Sequence, residues 1–345
     1  MILTSEKLKE YAKKSGADLV GVASIDRFEG APVDMHPQTI FPEAKSVVVL
    51  GGRILRGSMR GIEEGTEWSS YFVFGYGNGI LGNLAVATTE TRHFIEEYGW
   101  EAMEVPAGAV LSEMGPVRGK TRPNQPPPNV IPSFRFAAFA AGLGEIGYSK
   151  VFLTPEFGGR QRFSMILTDA SLEPDPIYDG PPLCDRCKLC VENCPAGAIS
   201  DTEEVEITIA GKKISWGKID VGKCKLTHWG FNSLTSPFMA KDMPGFNLDV
   251  SEQEMSWKEA WSFGHSLSKE VKYISLVKQG IRGIQGGRPG SICGARGCIR
   301  ACMDHLEKRN RLNTKFHTPF RKREPWLMEH SQLENKALTV EDKNE

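Results

Sequence analysis

A chain of 345 residues exceeds the usual size of one hydrophobic core, which predicts two domains or one domain with a large insertion. Its 42 Lys and Arg residues against 43 Asp and Glu residues leave a net charge of −1, which offers no electrostatic attraction to nucleic acid or to an anionic membrane surface. Because no apolar run approaches the roughly 18 residues of a membrane span and the first residues show no export signal, we expect a cytoplasmic protein with neither a membrane nor a nucleic acid as its partner.

The first part of the chain alternates between helical and strand patterns. A helix is predicted from Ser5, placed to cap its start, to Gly16, placed to end it. Its apolar face carries Leu8, Tyr11 and Ala12. The apolar runs 18–23 and 45–52 then predict strands buried in a sheet that is covered on both faces.

A second helix is predicted over residues 84–98, where apolar residues recur at helical spacing until Gly99 ends the helix. The segment 117–134 is rich in proline, which predicts a loop of extended backbone across a surface or a pocket. The further predicted elements are a strand at 100–108, a helix at 135–147 and a strand at 163–170.

A cysteine-rich part begins near residue 181. Its first run is Cys184-x2-Cys187-x2-Cys190-x3-Cys194-Pro195. In bacterial ferredoxins this spacing gives three ligands to one [4Fe-4S] cluster, while the fourth cysteine crosses to a second cluster. Zinc is the alternative, but zinc sites usually take two well-separated Cys-x2-Cys pairs. Plain buried thiols are the other alternative, and the spacing favours iron–sulfur clusters.

Two clusters need four more ligands, and the sequence contains four more cysteines. The ferredoxin crossing predicts one set of Cys184, Cys187, Cys190 and Cys302, and a second set of Cys194, Cys224, Cys293 and Cys298. The spacing Cys293-x4-Cys298 is looser than the usual x2, and Met303 replaces the proline expected after the last cysteine. Some of the later cysteines are therefore open to a second interpretation as buried residues of the core.

The segment "AAGLGEIGYSKVFLTPEFGGRQRFSMILTDASLEPDPI", followed by the cysteine run with "CPAGAI", resembles the region shared by the reductive dehalogenases and epoxyqueuosine reductase. The resemblance implies an α+β fold with a nitroreductase-like α/β domain at 1–180 that holds base-off cobalamin. It also implies a bacterial-type double [4Fe-4S] ferredoxin module at 181–310. A Trp-rich helical insertion at about 225–292 departs from the relatives, and 311–345 reads as a polar tail or a docked strap.

The resemblance also implies roles for residues of the cobalamin pocket. Gly142 and Gly144 would let the backbone approach the corrin, and Arg162 would match an arginine that faces the pocket. The alternatives are a helix C-cap with a turn for the glycines and a surface ion pair for Arg162. Asn129 stands near the place of the aspartate that serves epoxyqueuosine reductase as its acid, and we assign it to cofactor binding.

The acid of the relatives is missing from this chain, because residues 129–139 contain no Asp, Glu or Tyr. Tyr148 and Lys150 are the candidate substitutes. The alternative for Tyr148 is a packing residue with a satisfied hydroxyl, and Glu145 reads as a residue that caps a backbone turn.

The insertion contains a predicted helix that starts at a capping box of Ser251 and Glu254. Its aromatic residues form either a lid over a substrate or, more commonly at helical spacing, the small core of the insertion. These residues are Trp257, Trp261 and Phe263, near His265. His228, beside Trp229, is expected to be a neutral, hydrogen-bonded histidine.

Two functions fit these features. In the first, the protein is a cobalamin-dependent iron–sulfur reductase that removes a substituent from a small organic substrate, with electrons from a low-potential donor such as ferredoxin or flavodoxin. In the second, it is an electron-transfer or reductive-activation protein for a corrinoid protein or another redox partner. Flavin is the alternative cofactor of the α/β domain. The sequence leaves the oligomeric state open.

Overall fold

The computed structural model describes residues 2–67, 70–76, 78–105, 119–128, 130–228, 231–232, 234–235, 250, 256, 259–260, 262, 293–320 and 323–327. The helices are α1 (Ser5–Lys14), α2 (Pro37–Ile40), α3 (Arg60–Glu64), α4 (Asn78–Glu97), α5 (Phe134–Ala140), α6 (Leu189–Glu192), α7 (Val221–His228), α8 (Cys293–Arg296) and α9 (Cys298–Lys308). The strands are β1 (Leu19–Ser24), β2 (Ser46–Arg53), β3 (Ala102–Val105), β4 (Glu145–Ile146), β5 (Phe152–Leu153), β6 (Gln161–Thr168), β7 (Ile199–Ile209) and β8 (Lys212–Ile219).

A four-stranded antiparallel sheet forms the centre of the first part, in the order β1-β2-β6-β3. Helices α1 and α4 cover one face, where Leu8 and Leu84 pack against Val48. Helix α5 covers the other face, where Ala137 packs against Val47. The prediction of strands buried on both faces is confirmed, and the architecture of this part is mixed α/β.

The start of α1 differs from the prediction. Thr4, not Ser5, is the N-cap, because its hydroxyl oxygen accepts a hydrogen bond from the backbone N–H of Lys7. The hydroxyl of Ser5 donates to the carbonyl of Glu173, 2.7 Å away, and so ties the helix to a distant segment. Two adjacent hydroxyl residues both suit the cap, and this tertiary contact decides between them.

The cysteine-rich part packs directly on the first part. The hairpin of β7 and β8 carries Ile209 and Trp216 into the same apolar cluster as Ala137 of α5. Leu306 of α9 packs against Leu153 of β5. The division near residue 180 stays a prediction, and a continuous apolar core crosses it.

The described residues of the C-terminal segment, 311–320 and 323–327, lie docked on the protein, and we call them the strap. Phe320 is buried, and the N–H of Asn313 donates to the carbonyl of Pro155, 2.7 Å away. The indole N–H of Trp326 donates to the carbonyl of Ile62. Among the described helices, none has both the length and the apolar character needed to cross a bilayer.

Candidate metal centre

Four helices carry five of the eight cysteines, while Cys184, Cys187 and Cys194 lie outside the helices. Cys190 lies in α6 and Cys224 in α7, while Cys293 and Cys298 begin α8 and α9. Helix α9 also carries Cys302 and packs on α6. All eight cysteines belong to the described residues, and no two of them form a disulfide.

One cavity is lined by four of these thiols, which we call the first thiol group: Cys184, Cys187, Cys190 and Cys302. Burial raises the pKa of Cys302 well above its ordinary value, and negative charge on the other three thiols raises it further. Burial likewise raises the pKa of Cys190 to about 11, with Cys184 and Cys187 adding to the effect. The first three cysteines of the run therefore share a site with the last cysteine of the chain.

The remaining four cysteines form the second thiol group: Cys194, Cys224, Cys293 and Cys298. Burial raises the pKa of Cys293, and negative charge on Cys224, Cys298 and Cys194 raises it further. Cys298 shows the same pattern, with burial first and Cys194 and Cys224 next. Cys190 of the first group also acts on Cys298, so the two groups lie close together. The assignment of these two sets to two clusters stays a prediction.

The two thiol groups are neighbours. Cys194 and Cys298 of the second group pack in one apolar cluster with Cys190 of the first, beside Tyr148. Buried thiols with raised pKa values disfavour the thiolate unless a cation lies beside them. Each set of four sulfur donors contains thiols of this kind, and two such sets fit a pair of [4Fe-4S] clusters.

Backbone N–H groups and one carboxylate hold the cysteine run. The N–H of Tyr148 donates to Sγ of Cys184, and the N–H of Ala198 donates to Sγ of Cys194; the N···S distance is 3.3 Å in both. The carboxylate of Glu145 accepts from the N–H of Cys184 at 2.5 Å. Glu145 therefore fastens the backbone turn at the start of the run, which is the structural role expected for it.

Gly297 explains the loose spacing between Cys293 and Cys298. It separates α8 from α9, and a Cβ atom at this position would lie 2.8 Å from the carbonyl oxygen of Asn193 and 2.9 Å from Pro195. Only glycine lets the two cysteine segments approach so closely. No role is predicted for Gly297 from the sequence, although its place between two predicted ligand cysteines, directly before Cys298, could have indicated one.

Asp185 and His305 flank the exposed side of the first thiol group and were also missed. His305 Nε2 lies 2.8 Å from Asp185 Oδ2, and Arg309 NH1 lies 3.2 Å from the same oxygen. Burial alone would raise the pKa of Asp185, but the hydrogen bond from His305 and the charge of Arg309 outweigh it and lower the pKa. The ligand atoms of Asp185, His305 and Cys187 lie within 4.8 Å of one another.

Tyr148 lies against the first thiol group. Its side chain is 2% exposed, and its hydroxyl donates to the carbonyl of Ser200, 3.0 Å away. Burial raises the pKa of the phenol above its ordinary value. This environment agrees with the packing alternative, and a role as the proton donor stays a prediction.

Lys150 lies on aromatic faces. Its Nζ is 4.5 Å from the ring centroid of Trp216 and 5.6 Å from that of Phe136. Burial lowers the pKa of the ammonium group, and the charge of Arg135 lowers it further. The two rings stabilise the cation that burial disfavours.

Arg162, in β6, contacts its neighbours by hydrogen bonds. Its guanidinium donates to the hydroxyl of Tyr71 at 3.3 Å and to the carbonyl of Gln161 at 3.2 Å. Desolvation lowers the pKa of His228 to about 3, with the charges of Lys225 and Arg162 adding to the effect. His228 is therefore neutral, as expected, and Arg162 lies within electrostatic range of α7.

The protein's own backbone accounts for the two predicted corrinoid glycines. Gly142 has φ 73° and would bring a Cβ atom to 2.0 Å from the carbonyl oxygen of Pro176. At Gly144 the Cβ atom would lie 2.0 Å from the carbonyl oxygen of Leu153. Their corrinoid role stays a prediction.

Several predicted residues lie outside the described ones, namely Asn129, Ser251, Glu254, Trp257, Trp261, Phe263 and His265.

Curated proteins include several that are similar to this chain, whereas no protein-family profile matches it. Tetrachloroethene reductive dehalogenase of Dehalobacter restrictus is 38% identical over 155 residues, which are 42% of this chain and 26% of that protein. Epoxyqueuosine reductase of Bacillus subtilis is 24% identical over 226 residues, which are 56% of this chain and 51% of that protein. The chain thus spans about a quarter of the dehalogenase and about half of the epoxyqueuosine reductase.

Solved structures give a weaker likeness. The catabolic reductive dehalogenase NpRdhA aligns with a TM-score of 0.47 at 20% identity, over 77% of this chain and 34% of that one. An epoxyqueuosine reductase with an epoxyqueuosine-modified tRNA stem loop aligns with a TM-score of 0.43 at 15% identity, over 89% of this chain and 82% of that one.

Proposed function

We propose that this chain, which is related to the reductive dehalogenases and to epoxyqueuosine reductase, is an oxidoreductase that holds two [4Fe-4S] clusters and base-off cobalamin. It would remove a substituent reductively from a small organic substrate. The observation that carries the proposal is the packing of the cysteines: Cys184, Cys187, Cys190 and Cys302 line one cavity, and Cys194 and Cys298 pack with Cys190 in one cluster.

The cysteines would hold the clusters as two sets: Cys184, Cys187, Cys190 and Cys302 for one, and Cys194, Cys224, Cys293 and Cys298 for the other. When bound, such clusters and a corrinoid supply low-potential single electrons and a strongly reducing cobalt centre. The side chains of Tyr148, Val191 and Ile199 pack with thiols of both groups in one apolar cluster, which shields those sulfurs from water.

The two thiol groups face different surroundings. Cys187 of the first group and Cys224 of the second are both exposed. We propose the first group as the side for an electron donor such as ferredoxin or flavodoxin, because the region assigned to the corrinoid lies at the second group. Near the second group, the charge of Arg135 acts on both Cys224 and His228, and that of Arg162 acts on His228. The second group therefore faces the region in which the resemblance puts the corrinoid pocket.

Cobalamin enters the proposal through the relatives. Gly142 and Gly144 contact protein backbone, and Asn129 lies outside the described residues. Arg162 is then the described residue that we propose to face the corrinoid. Flavin remains the alternative cofactor, and the test below distinguishes the two.

The second function, electron transfer without a substrate, is favoured by the state of the two candidate acids. The hydroxyl of Tyr148 donates to a backbone carbonyl, and the ammonium of Lys150 lies on two aromatic rings. A proton donor has to reach the reacting group. If neither residue leaves its present partner, the chain would pass electrons to another protein.

The expectation that nucleic acid is not a partner conflicts with what one relative binds. One relative is an epoxyqueuosine reductase, and one solved structure of that enzyme contains a modified tRNA stem loop. A net charge near zero for the whole chain does not exclude a local contact with tRNA. We therefore propose that modified tRNA be tested as a substrate beside small organohalides.

The test is anaerobic reconstitution with iron, sulfide and cobalamin, followed by gel filtration and electron paramagnetic resonance of the protein fraction. We expect about eight iron atoms per chain and a retained base-off Co(II) signal. Iron without retained cobalt would refute the cobalamin proposal and favour flavin or the electron-transfer function. An iron content of about four per chain would refute the assignment of two clusters.

A further inference from the structure

Two buried arginines lie beside each other beneath the strap. Arg56 is 6% exposed and Arg160 is 2% exposed. Both guanidinium groups lie against the ring of Phe316, with Cζ atoms 4.3 Å and 5.3 Å from its centroid. Burial lowers the pKa of Arg160 to about 10; Glu307 offsets part of this effect, and the charge of Arg56 adds to it.

Each arginine has one backbone acceptor. NH1 of Arg56 donates to the carbonyl of Thr318, and NH1 of Arg160 donates to the carbonyl of Ile54; the N···O distance is 2.9 Å in both. In the described part of the protein, Nε and NH2 of both residues are buried without a hydrogen-bond acceptor. Buried guanidinium nitrogens are rarely left in this state, because desolvation without a partner is costly.

The charges around the pair do not balance. Glu307 has a carboxylate oxygen 3.6 Å from Nε of Arg56, and it is the one carboxylate acting on both arginines among the described residues. Two neighbouring carboxylates serve other arginines: Asp18 pairs with Arg53 at 3.1 Å, and Glu64 pairs with Arg323 at 2.9 Å. One positive charge in excess therefore stays buried beneath the strap.

We propose that a monatomic anion of the size of chloride binds between Arg56 and Arg160, beneath Phe316. Its charge neutralises the excess cation, and it accepts hydrogen bonds from NH2 of Arg56 and from Nε and NH2 of Arg160. Nε of Arg56 faces the carboxylate of Glu307 instead. A water molecule would accept hydrogen bonds but leave the charge unbalanced. A monatomic anion needs less space between the two side chains than a tetrahedral oxyanion such as phosphate.

The position of the anion gives it a structural role. Arg56 follows β2, Arg160 precedes β6, Glu307 lies in α9 and Phe316 lies in the strap. The anion would therefore join the central sheet to the helix that carries Cys302 and to the C-terminal segment. The site uses none of the eight cysteines, so it stands independently of the proposed redox function.

A bromide derivative of the full-length, cluster-loaded protein tests the site directly. Crystals grown in sodium bromide should give an anomalous difference peak within hydrogen-bond distance of both Arg56 and Arg160. A water molecule at that position, or well-ordered density with no anomalous peak, would overturn the proposal.

A titration in solution adds variants to the test. Bromide is added at constant ionic strength, balanced with sodium methanesulfonate, and the melting temperature is followed. The wild-type protein should show a saturable rise of roughly 2–5 °C. Arg160→Met should abolish the rise, and Arg160→Lys, which keeps the charge, should weaken half-saturation about tenfold, which is about 1.4 kcal/mol.

Arg53→Met is the matched control, because Arg53 lies close enough to influence Arg160 but is half-exposed and paired with Asp18. It should keep the full bromide response. An unchanged response in Arg160→Lys would overturn the proposal, even if Arg160→Met fails to fold. A phosphate response without a bromide response would overturn the assignment to a monatomic anion.

Discussion

The buried ion pair between Glu63 and Arg300 gives the sharpest prediction about stability. The Glu63 side chain is fully buried and that of Arg300 is 10% exposed. Nε and NH2 of Arg300 donate to the two carboxylate oxygens. Replacing Glu63 by Gln leaves a buried guanidinium without its counter-ion, and we expect a loss of about 3–5 kcal/mol in the free energy of unfolding.

The double variant Glu63→Leu with Arg300→Met separates the charge effect from the loss of contacts. Removing both charges restores an apolar contact, so the double variant should recover most of the stability that Glu63→Gln loses. Glu10→Gln is the control, because Glu10 forms an exposed pair with Lys14. Its unfolding midpoint should match that of the wild-type protein.

The assay is anaerobic urea unfolding followed by tryptophan fluorescence, with the iron content of each variant measured first. Equal iron content separates the ion pair from the cysteines, since Arg300 lies between Cys298 and Cys302. A loss below about 1 kcal/mol for Glu63→Gln would refute the argument from buried charge. So would a double variant whose loss equals the sum of the losses measured for Glu63→Leu alone and Arg300→Met alone.

Three further predictions concern the metal centre and the sheet. Gly297→Ala should halve the iron content of the reconstituted protein, because the added methyl group meets the backbone of Asn193. The control is Gly57→Ala, whose methyl group meets nothing within 4 Å and should leave the iron content unchanged. Equal iron content in the two variants would contradict the packing argument. Tyr148→Phe should lower the free energy of unfolding by about 1 kcal/mol, the usual value of one hydrogen bond, with iron content and turnover unchanged. Loss of single-turnover activity would show instead that this hydroxyl is the proton donor. Burial raises the pKa of Glu104, so its ionisation opposes folding as the pH rises through that pKa. Glu104→Gln should therefore unfold at a higher temperature than the wild-type protein near pH 7. A stabilisation that persists at pH 3, where the wild-type carboxyl is protonated, would argue against ionisation as the cause.

Local signals were sufficient for much of the central sheet. The apolar runs that became β1, β2 and β6 were visible because their side chains are buried on both faces. Helix α4 begins at Asn78, six residues before the predicted start, since the glycines near its beginning interrupt the apolar pattern. Periodicity locates the centre of such a helix better than its ends.

The grouping of the thiols, which stays a prediction, could be stated from the sequence because cluster geometry restricts cysteine spacing. Contacts between distant segments could not. Glu63 and Arg300 are 237 positions apart, and no local pattern announces their pairing. Lys150 was singled out as an acid, but its environment depends on Trp216, which a separate hairpin brings to it.

The strap has a consequence for the order in which the protein is assembled. The guanidinium of Arg296 donates to the carbonyl of Trp326, and that of Arg300 donates to the carbonyl of Arg323. These acceptors follow every cysteine in the chain, so during synthesis the helices bearing the last three thiols leave the ribosome before the residues that lock them. In the proposed cluster-bound protein, these thiols would therefore be available to metal before the strap residues that cover them are in place.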